Sequence, residues 1–238
     1  VQTCALPIFG PVGDEKADFS YNYRTGGVDI RNETIFYYEG PTGPIRALDG
    51  SGNLQVGPDD ALREQWTYRH TDPDGDGTFT RESNVSSKTY LVGSVGDEKA
   101  DYSLNFRPNG SVRNTTIFYY DDGAGSVTDA ANADVEAALR EQRTYRGGTD
   151  DSKDITSLTK QSITYLLGDV GEEKADFSQN YRTDETLRNT TIFYYEGNRR
   201  ASASDIDTEH ALIEQHTFRD GTIGLDTVDA TKLQTKTF

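Results

Sequence analysis

The residues best suited to chemistry are three aspartates at alternate positions, Asp72, Asp74 and Asp76, in a run that reads Asp-Pro-Asp-Gly-Asp-Gly. Carboxylates spaced in this way and followed by glycine can wrap their oxygens around a hard cation such as calcium. The twelfth position of such a loop normally supplies a bidentate acid, but Ser83 stands there and Glu82 is one place early. The pattern predicts either a weak calcium site or a solvated hairpin loop.

A second acidic cluster, Glu-Lys-Ala-Asp or its equivalent, occurs three times along the chain. Two acids beside a lysine could act in general acid–base catalysis. Three active sites in one array would be unusual, so the repetition favours a structural role. We expect a ladder of surface ion pairs between units, each contributing about 0–1 kcal/mol. The charged members are Glu15, Lys16 and Asp18, then Glu98, Lys99 and Asp101, and finally Glu173, Lys174 and Asp176.

The three histidines, His70, His210 and His216, do not recur at equivalent positions. No Ser-His-Asp arrangement, phosphate-binding glycine loop or histidine-rich metal motif can be assembled from them. Trp66 and Arg143 stand where His216 stands in the third copy, which predicts an exposed strand face that tolerates different side chains. We therefore expect a protein that is not an enzyme and that uses no cofactor other than the calcium considered above.

Composition narrows the remaining classes of function. The 238 residues include 24 Lys and Arg against 40 Asp and Glu, a formal net charge of −16. Nucleic acids and anionic membrane surfaces would repel such a chain, so neither is an expected partner. No apolar run approaches the ~18 residues of a membrane-spanning helix. The single cysteine excludes a disulfide framework, while 14 Tyr, 10 Phe and 1 Trp argue against a disordered chain.

Internal repetition is the strongest signal in the sequence. The Glu-Lys-Ala-Asp block begins at Gly13, Gly96 and Gly171, which are 83 and 75 residues apart. Such self-similarity at long period is typical of repeat architectures. The further blocks, in chain order, are Arg31–Tyr38, Arg113–Tyr120 and Arg188–Tyr195; then Ala61–Arg69, Ala138–Arg146 and Ala211–Arg219; then Lys88–Gly93 and Ile163–Gly168.

The ends of the chain cut this array in mid-unit. Residues 1–8 match the translation of a widely used sequencing-adapter end, so we expect adapter read-through there, the alternative being a genuine N-terminal strand. The blocks then place repeat one at 9–86, repeat two at 87–161 and repeat three at 162–234. Residues 235–238 form the truncated start of a fourth repeat.

Residue alternation identifies the blocks as strands. In copy two, apolar and polar side chains alternate with a period of two, which sends them to opposite faces of an extended strand. Asn109-Gly110 then supplies the positive φ of a hairpin turn. The return strand has bulky residues on both parities, which predicts cover on both faces. The apolar set is Ala100, Tyr102, Leu104 and Phe106, and the polar set is Asp101, Ser103 and Asn105.

The hairpin of copy two, Asn105–Thr116, resembles the YD or RHS-type repeats of secreted and cell-surface bacterial proteins. It follows their aromatic–x–x–x–Gly–x–hydrophobic pattern from Phe106, as Tyr21–Gly27 does in part. Arg107 and Ser111 stand where the family usually has Asp and Arg, and the resemblance covers about a quarter of the chain. It implies hairpins that wind into a β-sheet spiral, closed as a shell or extended as a fibre.

These observations predict an all-β protein of tandem antiparallel β-hairpin repeats stacked as a β-spiral or solenoid-like array, because one unit cannot bury its aromatic face alone. A β-propeller is the alternative, although blades usually span ~40–50 residues. We expect a non-catalytic fragment of a large extracellular or cell-surface protein that acts as a shell, fibre or interaction scaffold. A calcium- or glycan-binding surface module is the alternative. The expected partners are neighbouring repeats of the same chain and a surface glycan or protein.

Overall fold

A computed structural model describes residues 7–203, 206, 207 and 209–238. These residues form sixteen β-strands and one short 3-10 helix, Ala230–Lys232, and they contain no α-helix. None of their helical segments has the length and apolar character needed to cross a membrane. The prediction of an all-β, antiparallel hairpin fold is therefore confirmed. Of the predicted adapter segment, Ile8 takes part in a short strand pairing, and residues 1–6 lie outside the described residues.

The chain divides into two compact units, Val1–Arg113 and Asn114–Phe238. The strands of the first unit are β1 (Ile8–Phe9), β2 (Lys16–Ala17), β3 (Phe19–Tyr23), β4 (Ile30–Tyr38), β5 (Ile45–Arg46), β6 (Leu62–Thr71), β7 (Thr80–Val92) and β8 (Lys99–Phe106). Those of the second are β9, which begins two residues before the division (Val112–Asp121), β10 (Val127–Asp129), β11 (Leu139–Arg146), β12 (Lys160–Leu167), β13 (Lys174–Tyr181), β14 (Leu187–Tyr195), β15 (Leu212–Arg219) and β16 (Leu233–Thr237).

Each unit contains a continuous antiparallel sheet that runs through a predicted repeat boundary. In the first unit the order is β3-β4-β6-β7-β8, and β6 of repeat one pairs with the part of β7 that belongs to repeat two. In the second unit the order is β9-β11-β12-β13-β14-β15-β16, and β11 of repeat two pairs with β12 of repeat three. Separate propeller blades would interrupt these ladders, so the propeller alternative does not describe either unit.

One face of each sheet carries the rings and the aliphatic side chains, and we call it the ring face. Leu104 and Ile35 on this face are buried, at 0% and 4% exposure, whereas Phe19 and Trp66 are half-buried. Lys88 lies among them with Nζ 4.3 Å from the centroid of the Trp66 ring, a cation–π contact that suits a buried ammonium group. Successive strands place on this face Phe19, Ile35, Trp66, Lys88 and Leu104 in the first unit and Ile117, Arg143, Ile163, Gln179 and Thr190 in the second.

The opposite face, which we call the hydroxyl face, presents Ser, Thr and Asn side chains. Hydroxyls of facing threonines bond across the strands in all three copies, at 3.1 Å for Thr34 with Thr67 and 2.9 Å for Thr116 with Thr144. Cross-strand pairs of this kind add about 0.2–1 kcal/mol each. Its central rows are Ser20, Thr34, Thr67, Ser87 and Asn105 in the first unit and Thr116, Thr144, Ser162, Asn180 and Asn189 in the second.

The return strands carry buried residues on both faces, and in the middle of β9 the ring face is the more buried. In β9, Thr115 and Ile117 are buried on the ring face, whereas Phe118 on the hydroxyl face is half-buried. The ring face of repeat three is covered by its own connection after β15. Gln179 is fully buried there and donates to the carbonyls of Thr222 and Leu225. Each face of the return strands is therefore covered in part: Tyr120, on the same parity as Phe118, is buried, whereas Tyr119 on the ring face is half-buried.

The aspartate of the Glu-Lys-Ala-Asp block is buried, which corrects the prediction of a surface ion-pair ladder. Asp101 and Asp176 are each 5% exposed, and each is the extra residue of a β-bulge where β8 or β13 pairs with the preceding strand. A bulge turns one side chain out of the simple alternation. Asp176 accepts Nε and Nη2 of Arg200 at 2.9 and 2.6 Å, and Asp18 is paired in the same way with Arg46.

The connection that follows each return strand folds back on its end. Tyr38 is buried with Ala47 and Val56 of that connection, and its hydroxyl donates to the carbonyl of Ala17 at 2.7 Å. In repeat three, the hydroxyl of Tyr195 donates to the backbone in the same way. The buried clusters around Tyr38, Ile163 and Ile192 each lie within a single repeat. The described contacts therefore join repeats edge to edge, while each repeat's own connections help to cover its rings.

The hairpin turn of copy two has one left-handed residue, Gly110, at φ 81°. The amide of Gly110 bonds to the carbonyl of Arg107, whose own amide bonds to the carbonyl of Ser111. The turn of copy three, which has no glycine, forms the same bonds with Glu185 at φ 62° in the corresponding position. The geometry of the turn is therefore kept where the glycine of the sequence pattern is lost.

Alkaline pH should destabilise the fold through its buried tyrosines. Burial raises the pKa of Tyr38 to about 12 from 10.0. A raised pKa in the folded state means that the contribution is fully present below pH 10 and is lost as the pH rises towards 12. We expect the free energy of unfolding in urea to be level from pH 7 to 9 and to fall between pH 10 and 12.

The double variant Y38F/Y195F tests the source of this fall, because burial also raises the pKa of Tyr195. It should be less stable at pH 8 through the loss of two hydrogen bonds and should show a shallower decline above pH 10. A decline as steep as that of the wild type would contradict the assignment.

Substitution of Gly110 by alanine should cost about 1–2 kcal/mol, since a Cβ is unfavourable in the left-handed region. The matched control is Gly50→Ala, because Gly50 does not have a positive φ and a Cβ there would meet nothing within 4 Å. Denaturant melts of both variants should show the loss for Gly110→Ala alone. Equal effects would mean that the turn conformation is not the cause.

Candidate functional site

Trp66, Arg143 and His216 occupy the same place in the three copies and make the same two contacts. Each is planar and packs on a tyrosine of the return strand. The ring centroids of Trp66 and Tyr37 are 4.8 Å apart, the guanidinium carbon of Arg143 lies 4.2 Å from the centroid of Tyr119, and the rings of His216 and Tyr194 are 4.6 Å apart.

Each of these side chains also places a nitrogen against the glutamate two residues earlier. Trp66 Nε1 donates to Glu64 at 2.6 Å, and Arg143 Nε donates to Glu141 at 2.7 Å. In copy three, His216 lowers the pKa of Glu214 by bonding to its carboxylate. The prediction of an exposed strand face is therefore wrong, although the position does accept three very different side chains. The site is half-buried and holds a planar side chain with an N–H group, a property that Trp, Arg and His share.

The glutamate of the Glu-Lys-Ala-Asp block binds a backbone amide where two repeats meet, and the lysine binds a backbone carbonyl within its own repeat. Glu98 accepts the amide of Leu62 from the preceding repeat at 3.0 Å, and Glu173 accepts the amide of Leu139 at 2.9 Å. Lys174 donates to the carbonyl of His210 at 2.9 Å. In the described structure these contacts of the block hold turns and strand ends.

A cavity of about 370 Å³ lies beside the junction of repeats one and two, within the first unit. Its floor is a pair of stacked rings, Tyr90 and Tyr102, with centroids 4.2 Å apart and planes inclined by 8°. Arg63, Glu64 and Glu39 line its polar side. Arg63 is paired with Glu39 and also donates to the carbonyl of Gly93 at 2.7 Å.

The second unit has an equivalent cavity of about 270 Å³ beside the junction of repeats two and three. Tyr165 and Phe177 are stacked there at 4.3 Å and 16°, in the places of Tyr90 and Tyr102. Arg140 pairs with Asp121 at 2.9 Å and donates to the carbonyl of Gly168 at 2.7 Å. We call these two cavities the junction pockets.

The sequence contained a signal for the junction pockets that its interpretation missed. Arg63 and Arg140 are the arginines of the recurring Ala-Leu-Arg-Glu-Gln block, next to Glu64 and Glu141. The third copy has Ile213 instead. An arginine and a glutamate at consecutive strand positions point to opposite faces in a regular ladder, so their convergence could not be expected. The register of the β11–β9 pair shifts between Leu139 and Glu141, so Arg140 is an extra residue in the strand. The simple alternation of faces therefore does not apply at Arg140.

The predicted calcium ligands do lie together. One carboxylate oxygen from each of Asp72, Asp74 and Asp76 can be chosen so that all lie within 4.8 Å of one another. The oxygens of Asp72 accept the amides of Gly75 at 2.8 Å and Gly77 at 2.9 Å, bonds that hold its pKa below the usual value. The loop is thus closed by its own backbone, and calcium binding by it stays a prediction.

The histidines are separated and have different surroundings. His70 is buried, with its ring edge towards Tyr21 and Nε2 3.7 Å from Glu33. His210 Nδ1 lies 2.6 Å from Asp207 in an exposed connection. The described histidines form no shared metal or catalytic cluster, and each belongs to a local packing arrangement.

A scan against protein-family models and a search of curated proteins found no match to this chain. The resemblance to YD or RHS-type repeats therefore stays a prediction. The geometry of the repeats and of the junction pockets is the basis for proposing a function.

Exchange of residues between copies tests the planar-donor position. Arg143→Trp should keep the free energy of unfolding within about 1 kcal/mol of the wild type, because an indole restores both the stacking and the N–H bond. Arg143→Leu should cost about 1–3 kcal/mol, since it removes the partner of the half-buried Glu141. Urea melts measure both variants, and an equal loss for Trp and Leu would contradict the interpretation.

Proposed function

We propose that this chain is a non-catalytic part of an extracellular or cell-surface repeat protein and acts as a structural and interaction scaffold. The observation that carries the proposal is that two successive repeat junctions are built in the same way. Strand pairing continues the sheet at each junction, at β6–β7 and at β11–β12. An interface that is reproduced at each boundary can be extended by adding further copies.

Two side chains reinforce each junction from opposite sides of the boundary. The preceding repeat supplies an arginine, Arg63 or Arg140, that binds a glycine carbonyl of the next repeat. The following repeat supplies Glu98 or Glu173, whose carboxylate accepts an amide of the preceding repeat. Backbone pairing and two reciprocal side-chain bonds thus recur together, as expected for a repeated structural interface.

The composition bears on the partners of the proposed scaffold, and the hairpin resemblance bears on its location. A net charge of −16 keeps the chain from associating with nucleic acids and anionic surfaces. Cys4 is the only cysteine, so the fold depends on strand pairing and packing without a disulfide framework. The resemblance of the hairpins to YD or RHS-type repeats of secreted and cell-surface proteins is the ground for proposing an extracellular location.

Duplication of one repeat tests whether the junction can be propagated. A second copy of residues 87–161, inserted between Gln161 and Ser162, places Ser87 where Ser162 would continue the strand. We expect a soluble protein whose β-sheet circular dichroism signal grows in proportion to the added residues. Its urea midpoint should be higher, because each junction contributes favourably to the free energy of folding.

The matched control inserts residues 88–161, one residue fewer. This insertion shifts the strand by one position and exchanges its two faces, so it should give a destabilised or aggregated protein. Equal behaviour of the two insertions would contradict the proposal. Turnover of a substrate by the unmodified chain in a hydrolase screen would contradict its non-catalytic part.

A further inference from the structure

We propose that the junction pockets bind hexose rings of a neutral polysaccharide, one site at each of the two junctions. This inference is independent of the scaffold role and goes beyond it. It starts from the recurrence of one cavity in two separate units with the same lining: a stacked ring pair, two aliphatic residues, an arginine and its carboxylate partner.

The floor of each pocket provides a flat apolar platform. Tyr102 and Phe177, at 9% and 8% exposure, are held against the sheet, and the half-buried Tyr90 and Tyr165 stack on them. Burial raises the pKa of Tyr165, so its hydroxyl stays uncharged at physiological pH. A pyranose ring has one face of C–H groups that packs on such a platform and hydroxyls around its edge.

In the pocket of the first unit, Arg63 is paired with Glu39 and Glu64 accepts a hydrogen bond from Trp66 Nε1. The pocket of the second unit has its acids paired with arginines, which favours a neutral ligand there. In the pocket of the second unit, Asp121 is paired with Arg140, Glu141 with Arg143 and Asp176 with Arg200. An added cation or anion would therefore have to break an existing pair and leave a half-buried charge without a partner, which is costly. The net charge of −16 further opposes anionic glycans.

Paired charges can still bind hydroxyls. Among the described contacts, Arg63 uses its guanidinium nitrogens for Glu39 and Gly93. A guanidinium carries five N–H donors, so further donors remain for hydroxyl oxygens at the pocket edge. Carboxylate oxygens have spare lone pairs that accept from hydroxyls. The pocket thus combines a ring platform with a small number of fixed polar groups, the usual composition of a small-molecule site.

Size and number fit a repeating polymer. Volumes of about 370 and 270 Å³ are near the lower end of the ~300–1,000 Å³ range of ligand pockets, which suits one or two sugar rings. Because the pocket recurs with the repeat, a longer array would engage a polysaccharide at several points, and weak individual sites would give strong overall attachment.

Calorimetric titration of the full chain with neutral hexasaccharides (cellohexaose, maltohexaose and mannohexaose) tests the proposal. At least one should bind with a stoichiometry of two. Trp66, the only tryptophan, donates to Glu64 of the first pocket, so its fluorescence should report binding there.

The two arginines separate the two sites. Arg63→Gln should abolish the Trp66 response and leave one binding site, while Arg140→Gln should keep the response and also leave one site. The double variant should bind at least tenfold more weakly. Arg69→Gln is the matched control, because Arg69 is an exposed arginine of the same strand, β6, that does not line the pocket. Tyr90→Leu replaces Arg63→Gln if thermal melting shows that the latter is unfolded.

Three results would overturn the proposal. One is the absence of heat and of a Trp66 response with every hexasaccharide. Another is hexasaccharide binding that the double arginine variant leaves unchanged. The third is that tetralysine or heparin, tested in parallel, binds in an arginine-dependent way where the neutral sugars do not.

Discussion

Backbone hydrogen bonding across the repeat boundary is the constraint on which the rest of the structure depends. At each junction the last strand of one repeat forms an antiparallel ladder with the first strand of the next: β6 pairs with β7, and β11 pairs with β12. The edge of an unpaired strand exposes a row of backbone hydrogen-bond donors and acceptors. When two repeats pair, the edge strands of both repeats satisfy these groups. The arginine and glutamate contacts, the ring pairs and the junction pockets all lie beside these ladders.

Bulges give this regular sheet its specific chemistry. Without them, alternation would send Asp101 and Asp176 to the hydroxyl face together with the serine that follows each of them. One extra residue in the strand turns these aspartates into buried positions, where an arginine from the same repeat can bind the carboxylate, as Arg200 binds Asp176. A buried ion pair stabilises little in net terms, but it penalises any register in which one partner is unpaired. The Asp–Arg pairs thus favour one arrangement of the long connections on the sheet.

The three copies also show which chemical property a position requires. Trp66, Arg143 and His216 have little in common in size or charge, yet each stacks on a tyrosine and places a nitrogen against a glutamate. Gly110 and Glu185 likewise share a left-handed turn position. Comparison of the copies within one chain therefore identifies the contacts that a position must make, because different residues make the same contacts in different copies.

The amino-acid sequence alone determined the repeat blocks, the antiparallel strands, the hairpin turn at Gly110 and the alternation of rings and hydroxyls. These features follow from local periodicity, which acts within a single strand or turn. The burial of Asp101 and Asp176, the shared role of Trp66 and Arg143, and the junction pockets were decided by the tertiary structure. They depend on bulges and on contacts between residues that are 20 or more positions apart in the chain, such as Glu98 with Leu62 and Arg200 with Asp176. A pattern with a period of two carries no information about where one extra residue shifts the register, and that shift places the polar groups beside the stacked rings.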